Sequence, residues 1–301
     1  MANSPKIDIY SLPDISQPEM DFRDTSFFRH QSAELPTPAS LLRQYPDLGA
    51  GVLKFSDQNL VIKVGGSSEL HLEEAQVIYG IRHAFPTSEV PVPELFGWRK
   101  HGDMTFIYMS LISGKTLREA WDDLQTDDKT SICVQLSQIV TALRSIKPDT
   151  PQFIGSINGG TLQDRYFRYD YEGGPFLSIK SYNDWLFAAA TRQNPEKEEL
   201  KFPDGLLRDY LSDEGQIYFT HGDLTVGNII VSGPPGAYRI VGIIDWEQAG
   251  WYPEYWEYCK LLYGVEYDHP WREEGWADKV MRPFPREIDA FGEYSHWRGC
   301  P

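Results

Sequence analysis

Three polar residues stand where apolar strands run out. Asp223 and Asn228 fall five positions apart in Thr220-His221-Gly222-Asp223-Leu224-Thr225-Val226-Gly227-Asn228-Ile229-Ile230-Val231, and Asp245 sits in Ile243-Ile244-Asp245-Trp246-Glu247. The apolar flanks place all three at strand ends, or on the loop of a hairpin spanning Ile217 to Trp246. Phosphoryl transfer needs a carboxylate to orient the attacking hydroxyl, and oxygen ligands to hold Mg²⁺ against the phosphates. An Asp, an Asn five residues later and a second Asp across a hairpin supply that set. Each of them alone would serve equally well as a turn or cap residue; the combination is what points to chemistry. The sequence contains its own control. His101-Gly102-Asp103 repeats the tripeptide, but Tyr108 stands where the Asn should be, and this copy reads as a hairpin turn.

A second pair lies upstream. Lys63 interrupts the apolar strand Leu60-Val61-Ile62-Lys63-Val64, which a polar turn at Ser56-Asp57-Gln58-Asn59 joins to Val52-Leu53-Lys54-Phe55. A helix is expected from about Glu69 to Ala84, with Leu70, Val77, Ile78 and Ile81 on one face. Glu74 is four residues after Leu70 and four before Ile78, so it points from that apolar face, whereas Glu73 points away. A carboxylate so placed needs a partner, and Lys63 on the neighbouring strand is the natural one. Strand lysines and helix glutamates are also commonly just solvated.

The elements around these residues fall into two groups. Prolines 5, 13, 18, 36 and 38 break up residues 1–38, which read as an N-terminal arm. Residues 39–112 hold strands and one helix, including a hairpin with arms Glu94 to Arg99 and Met104 to Leu111. From 113 to 301 the pattern is mostly helical. Thr116 with Glu119 forms a capping box. Asp127 or Asp128 caps a helix carrying Ile132, Leu136, Ile139, Val140, Leu143 and Ile146. Residues 148–180 read as a long loop region, followed by a helix near 183–191 and another near 271–281. This is an α+β, two-lobed pattern: a small β-rich lobe, a larger mostly helical lobe, and a ligand cleft expected between them.

The bulk numbers narrow the function classes. A formal charge of −16 over 301 residues argues against a nucleic-acid partner, which needs a basic stripe, and against an anionic membrane surface. Such a charge would suit a cationic ligand, and it also simply keeps a protein soluble. Cys133, Cys259 and Cys300 show no metal or disulfide spacing, which fits a reducing compartment. With no apolar leader and no run of transmembrane length, a cytoplasmic location is expected.

At this point the sequence resembles a known family. His221-Gly222-Asp223 followed by Asn228, with Ile244-Asp245-Trp246-Glu247, resembles the H-G-D-x-x-x-x-N and I-D-W/F-E segments of the aminoglycoside phosphotransferase family, of protein-kinase-like fold. The likeness runs over roughly residues 48 to 301. It is similar to fungal-type members in Val90-Pro91-Val92-Pro93, Gly114-Lys115-Thr116-Leu117 and Gly250-Trp251-Tyr252-Pro253-Glu254-Tyr255-Trp256-Glu257-Tyr258. The resemblance implies ATP and Mg²⁺ as cofactors and the hydroxyl of a small molecule as acceptor. It makes Asp223 the catalytic base and Asn228 and Asp245 the Mg²⁺ ligands. Lys63, held by Glu74, would contact the phosphates; Gly49 and Gly51 would form a degenerate phosphate-covering loop. Met109, Ser110 and Leu111 would form the hinge that meets the adenine.

Two departures bear on the substrate rather than on the class. Thr225-Val226 stand where many relatives have His-Pro, and little chain follows the helix expected near 271–281 for the substrate-binding elements of antibiotic-modifying members. The aromatic group Trp246, Trp251, Tyr252, Tyr255 and Trp256 reads as core packing; the alternative is a substrate wall in which Glu247, Trp251 and Glu254 meet a cationic ligand. A protein kinase is disfavoured, because no A-P-E follows Asp245 and no room is left for an activation loop. The rival from another class is a catalytically silent kinase-like nucleotide- or ligand-binding protein, whose mark would be a broken Lys, Asp or Asn. All five key positions are intact.

Overall fold

Alternation along one strand sets the small lobe. Leu60, Ile62 and Val64 are buried in a cluster with Phe96, Phe106 and Tyr108, while Val61 and Lys63 face the opposite side and line a cleft. The structure is a computed structural model that describes residues 5–29, 33–148, 152–164, 173–194, 199–203 and 205–299. The small-lobe strands are β1 (Lys6–Ile7), β2 (Glu19–Asp21), β3 (Gly51–Phe55), β4 (Leu60–Gly66), β5 (Leu95–His101) and β6 (Met104–Ser110), with helices α1 (Pro38–Gln44) and α2 (Glu73–Ala84). All strands but β1 form one antiparallel sheet in the order β2-β5-β6-β4-β3.

The segment before residue 38 does not stand clear of the body. β2 adds an edge strand beside β5, Phe28 and Leu35 fill the outer cluster, and β1 pairs in parallel with β8 (Lys147–Pro148) of the large lobe. Prolines forbid a long helix there but permit these short strands and turns. Helix α2 starts at Glu73 rather than near Glu69. The amides of Glu69 and Leu70 both donate to the Gly66 carbonyl, closing a turn that delays the helix. Gln76 then fixes α2 from two sides: its Nε2 donates to the Pro13 carbonyl at 2.8 Å, and its Oε1 accepts from Asn158 Nδ2 at 3.0 Å.

Beyond the linker lie β7 (Lys115–Thr116), α3 (Leu117–Ala120), α4 (Thr126–Ser145), β9 (Gly155–Ser156), α5 (Ile179–Thr191), β10 (Ile217–Thr220), β11 (Ile229–Ser232), β12 (Arg239–Ile243), β13 (Gly250–Pro253), α6 (Trp256–Tyr263), α7 (Pro270–Glu273) and α8 (Pro285–Arg298). The linker is fastened to this lobe. β7 pairs with β11, and Ile112 seats on Gly242, where an added Cβ would lie 2.3 Å from the Ile112 Cδ1. The Thr116–Glu119 capping box forms as the sequence predicts.

Other expectations are corrected. Neither Asp127 nor Asp128 caps α4; Gln125 does so by position. Asp128 turns inward, accepting from the amides of Gly236 (2.9 Å) and Tyr238 (3.3 Å) at the tip of the β11–β12 hairpin. The expected hairpin over 217–246 is really two pairings. β11 pairs with β12, whereas β10 pairs with β13, more than thirty residues along the chain, in the sheet β10-β13-β9. The helix expected near 271–281 is the short α7 and a turn, and the longer α8 follows it. α8 starts with Pro285 in its first turn and buries Ala290, Phe291 and Tyr294. Of the long loop read at 148–180, residues 149–151 and 165–172 lie outside the described residues, as does Cys300. Trp246, Trp251, Tyr252, Tyr255 and Trp256 are all buried; they form core, with Tyr252 and Trp256 stacked at 5.4 Å.

Candidate active site

The loop 221–228 runs from β10 to β11, so its two ends belong to different sheets. Three contacts hold it. The buried carboxylate of Glu257, on α6, accepts from the amides of His221 (2.7 Å) and Gly222 (3.3 Å). His221, fully buried, accepts the Asp223 amide at Nδ1 (3.1 Å) and donates from Nε2 to the Ile244 carbonyl (3.0 Å). Because an amide can only donate and a carbonyl only accept, the ring is the neutral Nε2–H tautomer. Burial, the dominant cause, pushes its pKa down to about 4. Asn228 closes the loop, donating from Nδ2 to the Asp223 carbonyl (2.8 Å) and to Asp223 Oδ2 (3.1 Å). Gly222 has φ +77°, and a Cβ there would lie 2.4 Å from the Gln248 carbonyl oxygen; the turn needs glycine.

Asp245 enters from the other side. It follows β12 with φ +65°, a left-handed conformation uncommon for a non-glycine residue and concentrated at functional sites. Buried Trp246 donates from its indole to the Ile243 carbonyl at 2.9 Å and lies against the His221 ring, so the turn that aims Asp245 is locked from below. The Asp245 carboxylate meets Lys63 Nζ at 2.5 Å. The same nitrogen is 2.8 Å from Glu74 and 3.2 Å from Glu247. Burial works against the lysine charge, but Glu74, then Asp245 and Glu247, outweigh it and raise its pKa well above the ordinary value. Burial likewise pushes Glu74 up while Lys63 pulls it back; with three carboxylates around it, the lysine carries its charge.

Some of these groups open onto a cleft of about 480 Å³ between the lobes, with Asp223 and Glu247 not among its lining residues. Lys63, Glu74, Asn228 and Asp245 line it, as do Met109, Ser110 and Leu111 from the end of β6 and the start of the linker. Two amides of that hinge are already engaged, Ser110 N by the Glu94 carbonyl and Leu111 N by the Asn59 carbonyl. Gly49 and Gly51 are not among the cleft residues. Gly49 precedes β3 and Gly51 opens it, with nothing within 4 Å of a Cβ added at either.

The three residues weighed for a substrate wall are not brought together. Glu247 joins Lys63. Trp251 is core, its ring 5.3 Å from that of Phe219. Glu254 stands at the end of β10 opposite the loop, since Pro253 pairs with Ile217 while Gly250 pairs with Thr220. The second H-G-D lies in the β5–β6 turn, with Gly102 at φ +59° and Asp103 exposed. Sequence reasoning passed over Glu257; its only signal is a carboxylate inside the aromatic run Trp256-Glu257-Tyr258, where nothing but a polar partner would justify burial.

The donor set suits a hard divalent cation. Carboxylate oxygens of Glu74, Asp245 and Glu247 lie within 4.8 Å of one another, and one ammonium leaves their charge only partly balanced. The Asn228 amide nitrogen is committed to Asp223, which leaves its carbonyl oxygen as the atom available to a cation. Oxygen ligands of this kind are what Mg²⁺ takes.

A small antiparallel sheet with one helix above a cleft, a larger lobe below, and Lys, Glu, Asp and Asn converging at their junction define a two-lobed, protein-kinase-like α+β enzyme. The family model of the phosphotransferase enzyme family matches residues 57–291, and the chain belongs to that family, whose chemistry makes it a small-molecule kinase. Among curated proteins no sequence matches. Solved structures agree in fold. The GDP and kanamycin complex of APH(2″)-IIIa is 15% identical with a TM-score of 0.52, covering 85% of this chain and 88% of its own. The ADP and streptomycin complex of APH(3″)-Id from Streptomyces rimosus ATCC10970 is 17% identical with a TM-score of 0.50, covering 86% and 97%.

Proposed function

We propose that the protein transfers the γ-phosphoryl group of ATP, with Mg²⁺, to a hydroxyl of a small cationic molecule. The observation that carries this reading is the convergence on one cleft of Lys63, braced by Glu74, with Asp245 and Asn228, the last of which is hydrogen-bonded to Asp223. ATP binds between the lobes, its base against Met109, Ser110 and Leu111. Lys63 neutralises phosphate charge. Asn228 and Asp245 would hold Mg²⁺, which when bound screens the charge between the phosphates. Asp223, oriented by its bonds to Asn228 and His221, accepts the proton of the attacking hydroxyl.

The structural neighbours named above carry ADP with streptomycin and GDP with kanamycin. A chain of net charge −16 suits an acceptor of the same cationic, hydroxyl-bearing kind. Cys133 and Cys259 are buried free thiols, which supports a reducing, cytoplasmic setting, and among the described residues no helix is long and apolar enough to cross a membrane.

Two isosteric variants test the assignment. Asp245→Asn is expected to weaken Mg²⁺-dependent ATP binding and also stop turnover. Asp223→Asn is expected to keep ATP–Mg²⁺ affinity within a few-fold while turnover falls by roughly 10²-fold or more, the scale of a lost general base. Calorimetric ATP titration with ADP release against a panel of amino-bearing polyols reads both. If Asp223→Asn abolishes nucleotide binding while Asp245→Asn spares it, the roles are reversed and the mechanism is wrong.

A further inference from the structure

The large lobe buries an ion pair that the chemistry above leaves unused. Lys260, on α6, is 3% exposed, and Asp164, on the segment after β9, is fully buried. The Lys260 Nζ donates to Asp164 Oδ2 at 3.1 Å and to Gln248 Oε1 at 3.0 Å. Taking two charges out of water costs more than burying an apolar pair of similar volume, so stability alone is a weak reason for the pair. Its place in the fold supplies another.

Lys260 comes one turn after Glu257 on α6, so the two side chains lie on one side of the helix. Glu257 grips the loop of Asp223 through the His221 and Gly222 amides. Lys260 grips Gln248, in the turn that follows Asp245 and that the Ala249 amide closes on the Trp246 carbonyl at 3.1 Å. The two segments also meet directly. Gly222 lies against Gln248, whose carbonyl oxygen would be 2.4 Å from a Cβ there, and that oxygen accepts from the Tyr252 hydroxyl at 3.0 Å. The lysine charge reaches the loop as well. Burial pushes Glu257 up, and Lys260 is among the groups that pull it back; burial pushes His221 down, and Lys260 adds to that push.

We infer that Lys260 is a positioning residue for phosphoryl transfer: anchored by Asp164, it holds the 245–248 turn on the same helix that holds the 221–222 amides, and so fixes the spacing of Asp245 from Asp223. This rests on the proposed function and adds to it the part that keeps its two aspartates in register.

Full-length wild type, Lys260→Met/Asp164→Asn and Gln248→Met test it. Lys260→Met alone would strand a buried carboxylate, whereas the double variant removes both charges, and its melting temperature should stay within a few degrees of wild type. In both variants the Ala249 amide should exchange its hydrogen roughly tenfold faster, the scale of one lost hydrogen bond to a charged group. Turnover, read as ADP release with the amino-bearing polyols, should fall roughly tenfold or more while calorimetric ATP–Mg²⁺ affinity stays within about threefold, because a small misplacement harms the reacting geometry more than the bound one. Wild-type exchange at Ala249, or wild-type turnover, in the folded double variant overturns the inference and leaves the pair a plain part of the core. Equal losses of affinity and turnover overturn it too, as general damage to the site. If the double variant does not fold, Gln248→Met decides by the same readings. If wild type neither binds ATP–Mg²⁺ nor turns over an acceptor, the proposed function is what fails, and Ala249 exchange still decides whether Lys260 holds the turn.

Discussion

Glu257→Gln should loosen the 221–228 loop without unfolding the protein. The carboxylate accepts from two amides, His221 at 2.7 Å and Gly222 at 3.3 Å. The isosteric amide keeps one acceptor and turns an NH₂ toward the other donor. A hydrogen bond to a charged acceptor is worth about 1.5–3 kcal/mol, so at least one loop amide should exchange its hydrogen roughly ten- to a hundredfold faster. Global stability follows a different term. Burial pushes the Glu257 pKa up to about 7 from 4.5, and that shift corresponds to about 3 kcal/mol against the charged form. An acid raised in this way is penalised as pH climbs from its unfolded to its folded pKa, and fully penalised above the latter. At pH 8 the glutamine removes that penalty as it removes the bond, and the two effects nearly cancel. The melting temperature at pH 8 should therefore change by only a few degrees. Near pH 5 the wild-type side chain is itself protonated, and the two chains should converge in loop exchange as well. Turnover should fall, because Asp223 is two residues from His221. Amide exchange by NMR or mass spectrometry, set beside thermal melts at both pH values, is the assay. Unchanged protection of both His221 and Gly222 at pH 8 would refute the idea that this carboxylate holds the loop.

Lys63→Met takes the cation from among three carboxylates, one of them almost fully buried, and should cost about 3 kcal/mol in urea denaturation; unchanged stability would mean the cluster is solvated. Gly222→Ala places a Cβ 2.4 Å from the Gln248 carbonyl at φ +77° and should lower stability by at least about 2 kcal/mol. A wild-type denaturant midpoint would show the turn can relax. His221, with a folded pKa near 4 against 6.5, contributes stability that is complete above pH 6.5 and is lost as pH falls toward 4, about 3 kcal/mol in all. Its imidazole nitrogen resonances should report the neutral Nε2–H tautomer down to about pH 5, and a titration near 6.5 would contradict the burial described.

Local periodicity carried more of this than long-range pairing did. The phase of α2 separates Glu74 from Glu73, because spacing relative to Leu70 and Ile78 is a property of the helix alone. The β3–β4 and β5–β6 hairpins were readable for the same reason, as turn chemistry acts between neighbours. β10 was not, since its partner β13 is set by tertiary packing and not by the turn that follows it. Asp128 looked like a cap because Asp usually is one near a helix start; the hairpin tip that claims it lies more than a hundred residues away. Glu257 was illegible for that reason too. The aromatic run around it announces burial, but the amides that make a buried carboxylate tolerable belong to a loop 35 and 36 residues upstream. Glu247 and Glu254 carry the same charge and lie near the same rings in sequence, and only the strand register shows that one reaches Lys63 and the other does not.

The fastening of the linker decides how the cleft can open. Leu111 belongs to the upper body through the hydrogen bond its amide donates to the Asn59 carbonyl. Ile112, the next residue, is socketed on Gly242 in the lower one. The pivot is thereby narrowed to a single joint in the chain between those two residues. At the back, Gln76 and Asn158 latch α2 to the large lobe, and β1 stitches the N-terminal segment to β8. With rear and hinge both tethered, the free edge is the front, where β3 has no outer neighbour among the described residues. Any widening of the cleft then turns on that joint and lifts the β3 edge, like a lid raised from one side, while the floor and the 221–228 loop stay together in the large lobe.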